Sequence, residues 1–412
     1  MLALVDQKET FISKSGIIPR EIALDEFLST SLVVLISGVR RSGKSALLYL
    51  IKEQMELKPS DWLYINCDDD RILADSNFLE QAYQWHLQQY NKPPVFFIDE
   101  IQQVPNWEKF VNRMYERGLK LYITGSNANL LSSEMATALT GRNRVIQLYP
   151  FSFTEFLSFQ GLKSPYPNAT TKAIMETRHQ LDAYVKFGGF PLIVKERNIE
   201  IASDYFKDIL YRDIIAGYNL TQVNELRTIA QFLATNVSKL FSFKRLQDVS
   251  GLKSTSTVKN YLDFLQQTYL FDYVPKFDYS LAAQVRNSKK VYLIDLALYH
   301  VLGTAFSENS GRLIENLVYL ELKRRKHEVY YYSKKGECDF VLRKNLKTTG
   351  AIQVVYDLNI ENQKREENGL LEAMNDLKTN KGQIIYYQKN INNFNHDIQY
   401  IEISEWLLEK EL

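Results

Sequence analysis

Eight residues constrain this chain more than any others. Gly38-Val39-Arg40-Arg41-Ser42-Gly43-Lys44-Ser45 stands between an apolar run, Leu32 to Ser37, and a helical pattern. In that strand-to-helix context a G-x-x-x-x-G-K-S sequence lets backbone N–H groups curl around phosphate oxygens, and the helix start adds the positive end of its dipole. Gly38, Arg41, Ser42, Gly43 and Ala46 are therefore expected to cradle ATP, with Lys44 reaching the β and γ phosphates and Ser45 ligating Mg2+. A chance glycine-rich turn is the bland alternative.

A second element stands where hydrolysis needs one. Val95-Phe96-Phe97-Ile98-Asp99-Glu100 is a buried-strand pattern ending in two acids. Asp99 is expected to hold magnesium through water and Glu100 to orient or deprotonate the attacking water. Thr124-Gly125-Ser126-Asn127 ends the next apolar run, so Ser126, and after it Asn127, is a candidate to feel the γ-phosphate. The same Gly-Ser-Asn also reads as a plain turn. Asn66, closing another strand, is a candidate to contact Glu100 and gate it.

The surrounding rhythm agrees with a nucleotide core. Candidate strands Leu32 to Ser37, Trp62 to Asn66, Val95 to Asp99, Leu119 to Thr124 and Val145 to Leu148 alternate with helix-length segments, which means a parallel sheet covered on both faces. Ser152-Phe153-Thr154-Glu155 opens a helix with a capping box, and a Pro/Gly cluster follows to Asn168. Helical pattern then runs to about 222, broken at Gly188-Gly189-Phe190-Pro191. At 412 residues the chain exceeds one ordinary core, and a net charge of +1 gives no global pull toward nucleic acid or membrane. Two distant cysteines, no signal segment and no long apolar span indicate a reduced, cytoplasmic setting without membrane work.

With these residues in hand, the chain resembles the prokaryotic AAA-like (additional-strand, catalytic-glutamate) P-loop ATPases that carry a winged helix and a C-terminal restriction-endonuclease-like domain. Besides the motifs above, the resemblance rests on Leu139-Thr140-Gly141-Arg142, on Pro150 to Phe156, on Phe187-Gly188-Gly189-Phe190-Pro191, on Tyr211-Arg212-Asp213-Ile214 and on Gly336-Glu337-Cys338-Asp339-Phe340-Val341. It implies an α/β fold in four parts: a P-loop core over 1–165, a helical lid over 166–222, a winged helix over 223–285 and a nuclease-like domain over 286–412. It further implies that Gly189 and Pro191 approach the nucleotide. Arg142 then stands where related ATPases carry an arginine that reaches a neighbour's γ-phosphate, implying self-association; a local salt bridge is the competing explanation.

Phe243 to Val249, a turn at Ser250-Gly251 and Ser254 to Gln266 fit a helix-turn-helix. Its second helix would expose Lys253, Ser256, Lys259 and Asn260 to DNA, although winged helices also serve as packing modules. In the last domain, Glu315 and Asp339 match acids of the nuclease pattern, but Gln353 stands at an acid position and Val355 at the lysine position. Lys364 lies within the mixed charge run Glu361 to Glu367, which reads as solvated surface. The domain is therefore expected to be a structural or binding version of the nuclease fold. An ATP-driven switch or remodeller is the leading reading of the whole. A non-hydrolysing nucleotide-dependent scaffold and an ATP-regulated nuclease remain as alternatives.

Overall fold

In the computed structural model, which describes residues 2–13, 16–73, 75–126, 139, 141–303, 310–345 and 347–409, the chain divides into two units. The first comprises Met1–Pro150 together with Gln267–Tyr269, and the second Phe151–Gln266 together with Leu270–Leu412. The division falls at Pro150, earlier than the boundary at 165 expected from sequence, so the capping-box helix Phe153–Phe159 belongs to the second unit.

The first unit holds α1 (Leu2–Ile12), α2 (Asp25–Ser29), β1 (Val33–Ser37), α3 (Lys44–Gln54), β2 (Trp62–Asn66), α4 (Phe78–Tyr90), β3 (Val95–Asp99), α5 (Trp107–Glu116), β4 (Leu121–Gly125) and β5 (Asn143–Gln147). The five strands are parallel in the order β2-β3-β4-β1-β5. The additional strand β4 therefore separates the P-loop strand β1 from the acidic strand β3. Strand alternation sorts the apolar residues onto two faces. Val33, Leu35, Leu63, Ile65, Phe96 and Ile98 pack with α4 and α5 residues such as Leu79 and Val111. Val34, Ile36, Trp62, Tyr64, Phe97 and Tyr122 pack with Leu47, Leu48 and Ile51 of α3.

Edge strand β2 is shielded by α1. The Gln7 side chain donates to the Asn66 carbonyl (3.1 Å) and accepts from the Asn66 N–H (2.9 Å), standing in for a neighbouring strand. Phe11, one α-helical turn further along, stacks on Tyr64 with ring centroids 4.0 Å apart.

The second unit opens with α6 (Phe153–Phe159), α7 (Thr171–Phe187), α8 (Pro191–Glu196) and α9 (Ile201–Asp208), the last running into a π-helical stretch over Ile209–Ile215. Then come α10 (Val223–Thr235), β6 (Leu240–Phe241), α11 (Phe243–Ser250), α12 (Thr255–Gln267), β7 (Phe271–Pro275), α13 (Leu281–Arg286) and β8 (Lys289–Leu293). Gly251, at φ +75°, ends α11 in a left-handed cap that turns the chain into α12. The small antiparallel sheet runs β6-β8-β7. The boundary expected at 285 therefore cuts through this sheet, whose last strand reaches Leu293.

Beyond it lie α14 (Leu296–Leu302), α15 (Ser310–Arg324), β9 (Glu328–Ser333), β10 (Glu337–Lys344), β11 (Lys347–Asn359), α16 (Gln363–Leu377), β12 (Gly382–Asn390), β13 (Gln399–Glu402) and α17 (Ile403–Leu408). Their sheet runs β13-β12-β11-β10-β9, antiparallel from β9 to β11 and parallel from β11 to β13. From α15 onward the order is helix, three strands, helix, two strands, helix, with β8 and α14 standing before it. Among the described residues, no helix is long and apolar enough to cross a membrane.

Candidate active site at the end of the parallel sheet

Parallel strands all end on one side, and that side is where an open α/β sheet gathers its loops and ligands. Here it gathers the ends of β1, β3 and β4. Gly38 follows β1 and lies so close to the backbone after β5 that a Cβ would sit 2.1 Å from the Leu148 carbonyl oxygen; no other residue fits without moving the loop. Gly43 caps α3 at φ +100°, a conformation that glycine adopts without strain. Lys44 is buried, donates to the carbonyls of Gly38 (3.1 Å) and Val39 (3.2 Å), and stands 3.7 Å from Glu100 Oε1. Arg41 is exposed at φ +70°, while the buried Ser42 hydroxyl has no hydrogen-bond partner among the described residues. Ala46 lies in the first turn of α3.

The acids are held by their neighbours. Asp99 is buried and accepts from Tyr64 Oη (3.1 Å), from the Thr124 hydroxyl and from Ser45. Burial and the Glu100 charge push its carboxyl up, against Ser45, Thr124 and Lys44. Glu100 adopts φ +52°, and its N–H donates to Thr124 Oγ1 at 3.0 Å. One threonine thus pins both acids in their turn. Burial would raise the Glu100 carboxyl, but Lys44, Gln102, Arg40 and Ser126 together hold it below the usual value.

The structure brings Gly38, Gly43, Lys44, Ser45, Asp99, Glu100 and Ser126 together. Asn66 is not among them: its side-chain oxygen accepts from the Asp68 N–H (3.1 Å) in a local turn. The side chain that does engage Glu100 is Gln102, whose Nε2 donates to Oε2 at 2.5 Å and lies 3.4 Å from Ser126 Oγ. Asn127 lies outside the described residues. Arg142 donates to Asn112 (3.3 Å) and Glu116 (3.2 Å) of its own chain. It precedes β5, at the opposite end of the sheet from the P-loop. Reaching a neighbour would require breaking these exposed contacts, which bind weakly.

Two further residues escape a reading of the sequence. Arg20 braces the loop by donating to the carbonyls of Ser42 (3.0 Å) and Tyr149 (2.7 Å). Tyr269, in the short segment that joins the first unit, shares a hydrogen bond of 2.5 Å with Ser37 at the end of β1. Neither stands in a motif, so only the tertiary structure reveals them.

Gly189 and Pro191 have tasks inside the second unit. The Gly189 N–H donates to Asp295 Oδ2 (2.7 Å), and a Cβ there would meet the Phe151 carbonyl oxygen at 2.3 Å. Pro191 begins α8 at a position where its missing N–H costs nothing.

A second charged cluster lies on the C-terminal sheet. Lys290 of β8 donates to Glu315 Oε1 and Asp339 Oδ1, both at 2.8 Å, and Tyr292 donates to the same Glu315 oxygen at 2.7 Å. Asp339 Oδ2 accepts from the Val354 N–H (3.1 Å). Gln353 accepts from the Asp339 N–H (3.1 Å) and donates to Glu366 (2.7 Å). Val355, at the lysine position of the nuclease pattern, brings no cation, but Lys290 does, arriving from a strand that sequence patterns do not connect to these acids. Glu366 is likewise buried, not part of a solvated run, whereas Lys364 is exposed and Val355 packs in the core. Among the described residues, no group of three or more metal-ligating side chains could hold a metal ion.

Burial, reinforced by the Asp339 charge, pushes the Glu315 carboxyl up to about 7 despite Lys290 and Tyr292. A folded-state value above the unfolded one favours the folded state below the unfolded pKa, and that stabilisation is lost as pH rises through the folded pKa. Stability of the second unit should therefore fall between about pH 4.5 and 7 by up to about 3 kcal/mol from this group. Urea unfolding of the parent and of Glu315→Gln across that range should show a steeper decline in the parent; identical slopes would refute the assignment.

The region 30–157 matches the model of a family described as an AAA domain, and 178–309 matches a domain of unknown function, DUF8612. The uncharacterized protein MJ1544 of Methanocaldococcus jannaschii is 33% identical over 89% of this chain and 83% of its own length. An uncharacterized protein of Haemophilus influenzae is 31% identical over 94% of this chain and 96% of its own. Among solved structures, the Aeropyrum pernix ORC1 protein in complex with DNA aligns at TM-score 0.34 and 12% identity over 72% of this chain and 95% of that one, a likeness too loose to carry an argument. The nucleotide-binding loop and acidic strand sit inside the AAA match, and the full-length relatives extend well beyond it. The chain belongs to the family of AAA-domain proteins represented by MJ1544 and its Haemophilus relative.

Proposed function

We propose that this protein is an ATP-driven molecular switch or remodeller, in which hydrolysis in the AAA core moves the segments that follow it. The observation that carries the reading is the convergence of Lys44, Ser45, Asp99, Glu100 and Ser126 at one end of the parallel sheet. Lys44 supplies a buried cation for the β and γ phosphates, and the helix start beside it supplies N–H donors. Ser45 and Asp99, already hydrogen-bonded to each other, offer the hard oxygen ligands that magnesium takes while keeping its waters. Bound there, the metal would neutralise charge on the phosphates. Glu100, held ionised by its surroundings, accepts a proton from the attacking water.

Chain connectivity supports coupling. The chain leaves the second unit for Gln267–Tyr269, which reach β1 through Tyr269 and Ser37, and returns at Leu270. Residues that flank a nucleotide loop shift when phosphates come and go, and this segment is continuous with α12. In this reading Gly189 and Pro191 belong to a helical lid, α10 to β8 form a winged helix, and the final sheet is a nuclease-like module used for packing or binding.

Lys44→Ala should weaken ATP binding by roughly ten- to a hundredfold, because it removes a charge-assisted interaction. Glu100→Gln should keep binding and lower turnover by about 10² to 10⁴. Titration calorimetry and phosphate release separate the two effects. Parental turnover in Glu100→Gln would refute the assigned base, and absent turnover in the parent would favour a nucleotide-set scaffold.

Exposed Lys253, Ser256, Lys259 and Asn260 on and beside α12 support a DNA-facing role, and Lys259 and Lys289 flank the Phe243 ring at 5.1 and 5.9 Å. Replacing Lys253 and Lys259 by Ala should flatten the salt dependence of duplex binding by ~0.9 in the log-log slope for every phosphate that is no longer neutralised. An unchanged slope would assign this helix to packing.

The C-terminal cluster supports a non-cleaving module, because its carboxylates are already satisfied by Lys290, Tyr292, a backbone N–H and Gln353. Purified protein incubated with DNA or RNA in magnesium or manganese, with and without ATP, should leave the nucleic acid intact. Cleavage that disappears in Asp339→Ala would establish the nuclease reading instead.

A further inference from the structure

Gln102 stands two residues beyond the proposed base, on the short 3₁₀ turn Ile101–Gln103 that Glu100 opens in a left-handed conformation. Its Nε2 donates to Glu100 Oε2 at 2.5 Å and lies 3.4 Å from Ser126 Oγ. Ser126 itself hydrogen-bonds to Glu100. The three side chains thus form a closed triangle at the ends of two neighbouring strands. The amide nitrogen is the atom turned to the Glu100 carboxylate, which leaves the carbonyl oxygen on the other limb of the amide as an acceptor. That carbonyl, Oε1, is buried and accepts no hydrogen bond among the described residues. A buried acceptor left without a donor is costly, and one explanation for such a group is a catalytic role in which water or ligand supplies the missing hydrogen.

Resting on the hydrolysis reading, we propose that Gln102 is a second group that grips the attacking water, holding Glu100 with its amide N–H and accepting one water hydrogen on Oε1. A water has two hydrogens, and the two acceptors offered to it are Glu100 and Gln102 Oε1. With both engaged, its lone pair points away from them, toward the γ-phosphorus. The oxygen then bonds to phosphorus as the bond to the β–γ bridging oxygen breaks, and that electron pair leaves with ADP. One proton passes to Glu100 and from there to phosphate; the other stays on the oxygen that becomes part of inorganic phosphate. Ser126, 3.4 Å from the same amide nitrogen, links this grip to the end of β4, so that a shift of Ser126 on phosphate binding reaches Glu100 both directly and through Gln102.

The test uses the full chain and steady-state ATP turnover. Gln102→Met keeps the length and bulk of the side chain and removes both hydrogen-bonding atoms, and Gln102→Ala removes the side chain. Each should lower kcat by roughly 100-fold, at the lower end of the range seen when one preorganised hydrogen bond is removed from a transition state. KM and the Kd for ATP should stay within about threefold, because the group grips water and not nucleotide. Gln102→Glu, which keeps an acceptor but sets a second carboxylate against Glu100, should not restore the rate. Turnover within about twofold of the parent in Gln102→Met, or a raised KM with kcat intact, overturns the proposal. The parent and Glu100→Gln are run alongside. An active parent, a dead Glu100→Gln and an active Gln102→Met would sink this inference alone. An inactive parent would sink it together with the hydrolysis reading.

Discussion

A buried carboxylate, a half-buried one and a buried ammonium meet at one end of a parallel sheet, and the local architecture follows from keeping them satisfied. Isolated ions in such a place would neutralise or drag in water. Asp99 is held by Tyr64, Thr124 and Ser45, and Glu100 by Lys44 and Gln102. Thr124 is the hinge pin of this arrangement, since its single hydroxyl donates to one acid and accepts from the backbone of the other. It can do so only because β4 lies between β1 and β3. The additional strand is therefore part of the site's chemistry as well as of its topology.

The C-terminal sheet solves a similar problem in a different way. Glu315 and Glu366 are buried and Asp339 is half-buried, and the cations come from the chain itself: Lys290 between Glu315 and Asp339, and Arg365 beside Glu366. Breaking a buried pair leaves an uncompensated charge, so each partner is costly to remove whether or not the pair stabilises the fold on balance. A cluster completed by its own lysine has no unmet demand for an external ion. The N-terminal site differs, since among the described residues the buried Ser42 hydroxyl and the buried Gln102 carbonyl have no hydrogen-bond partner.

Much of the nucleotide site is legible in the sequence because its parts are contiguous. A loop that wraps phosphate must be a run of neighbouring residues, and an acid at the end of a buried strand follows an apolar run, so Gly38 to Ser45 and Val95 to Glu100 declare themselves. Gln102 is close at hand yet silent, because a glutamine after two acids carries no periodic signal; the strand-end pattern points to Asn66 as the gate instead. Tyr269 and Arg20 are out of reach for another reason. Each meets the P-loop from a distant part of the chain, and no local pattern encodes such a meeting.

The sequence by itself determined the five strands of the parallel sheet, the P-loop and the paired acids, since these depend on alternation, on glycine conformation and on apolar runs, all of them properties of adjacent residues. Only the tertiary structure decided that α1 shields the edge of β2 through Gln7, that β8 completes the small sheet while lending Lys290 to Glu315 and Asp339, and that Gly189 is required by the Phe151 backbone and Asp295. The physical reason is burial. A charge taken out of water must find its partner wherever packing brings one near, and packing joins residues without regard to their distance along the chain.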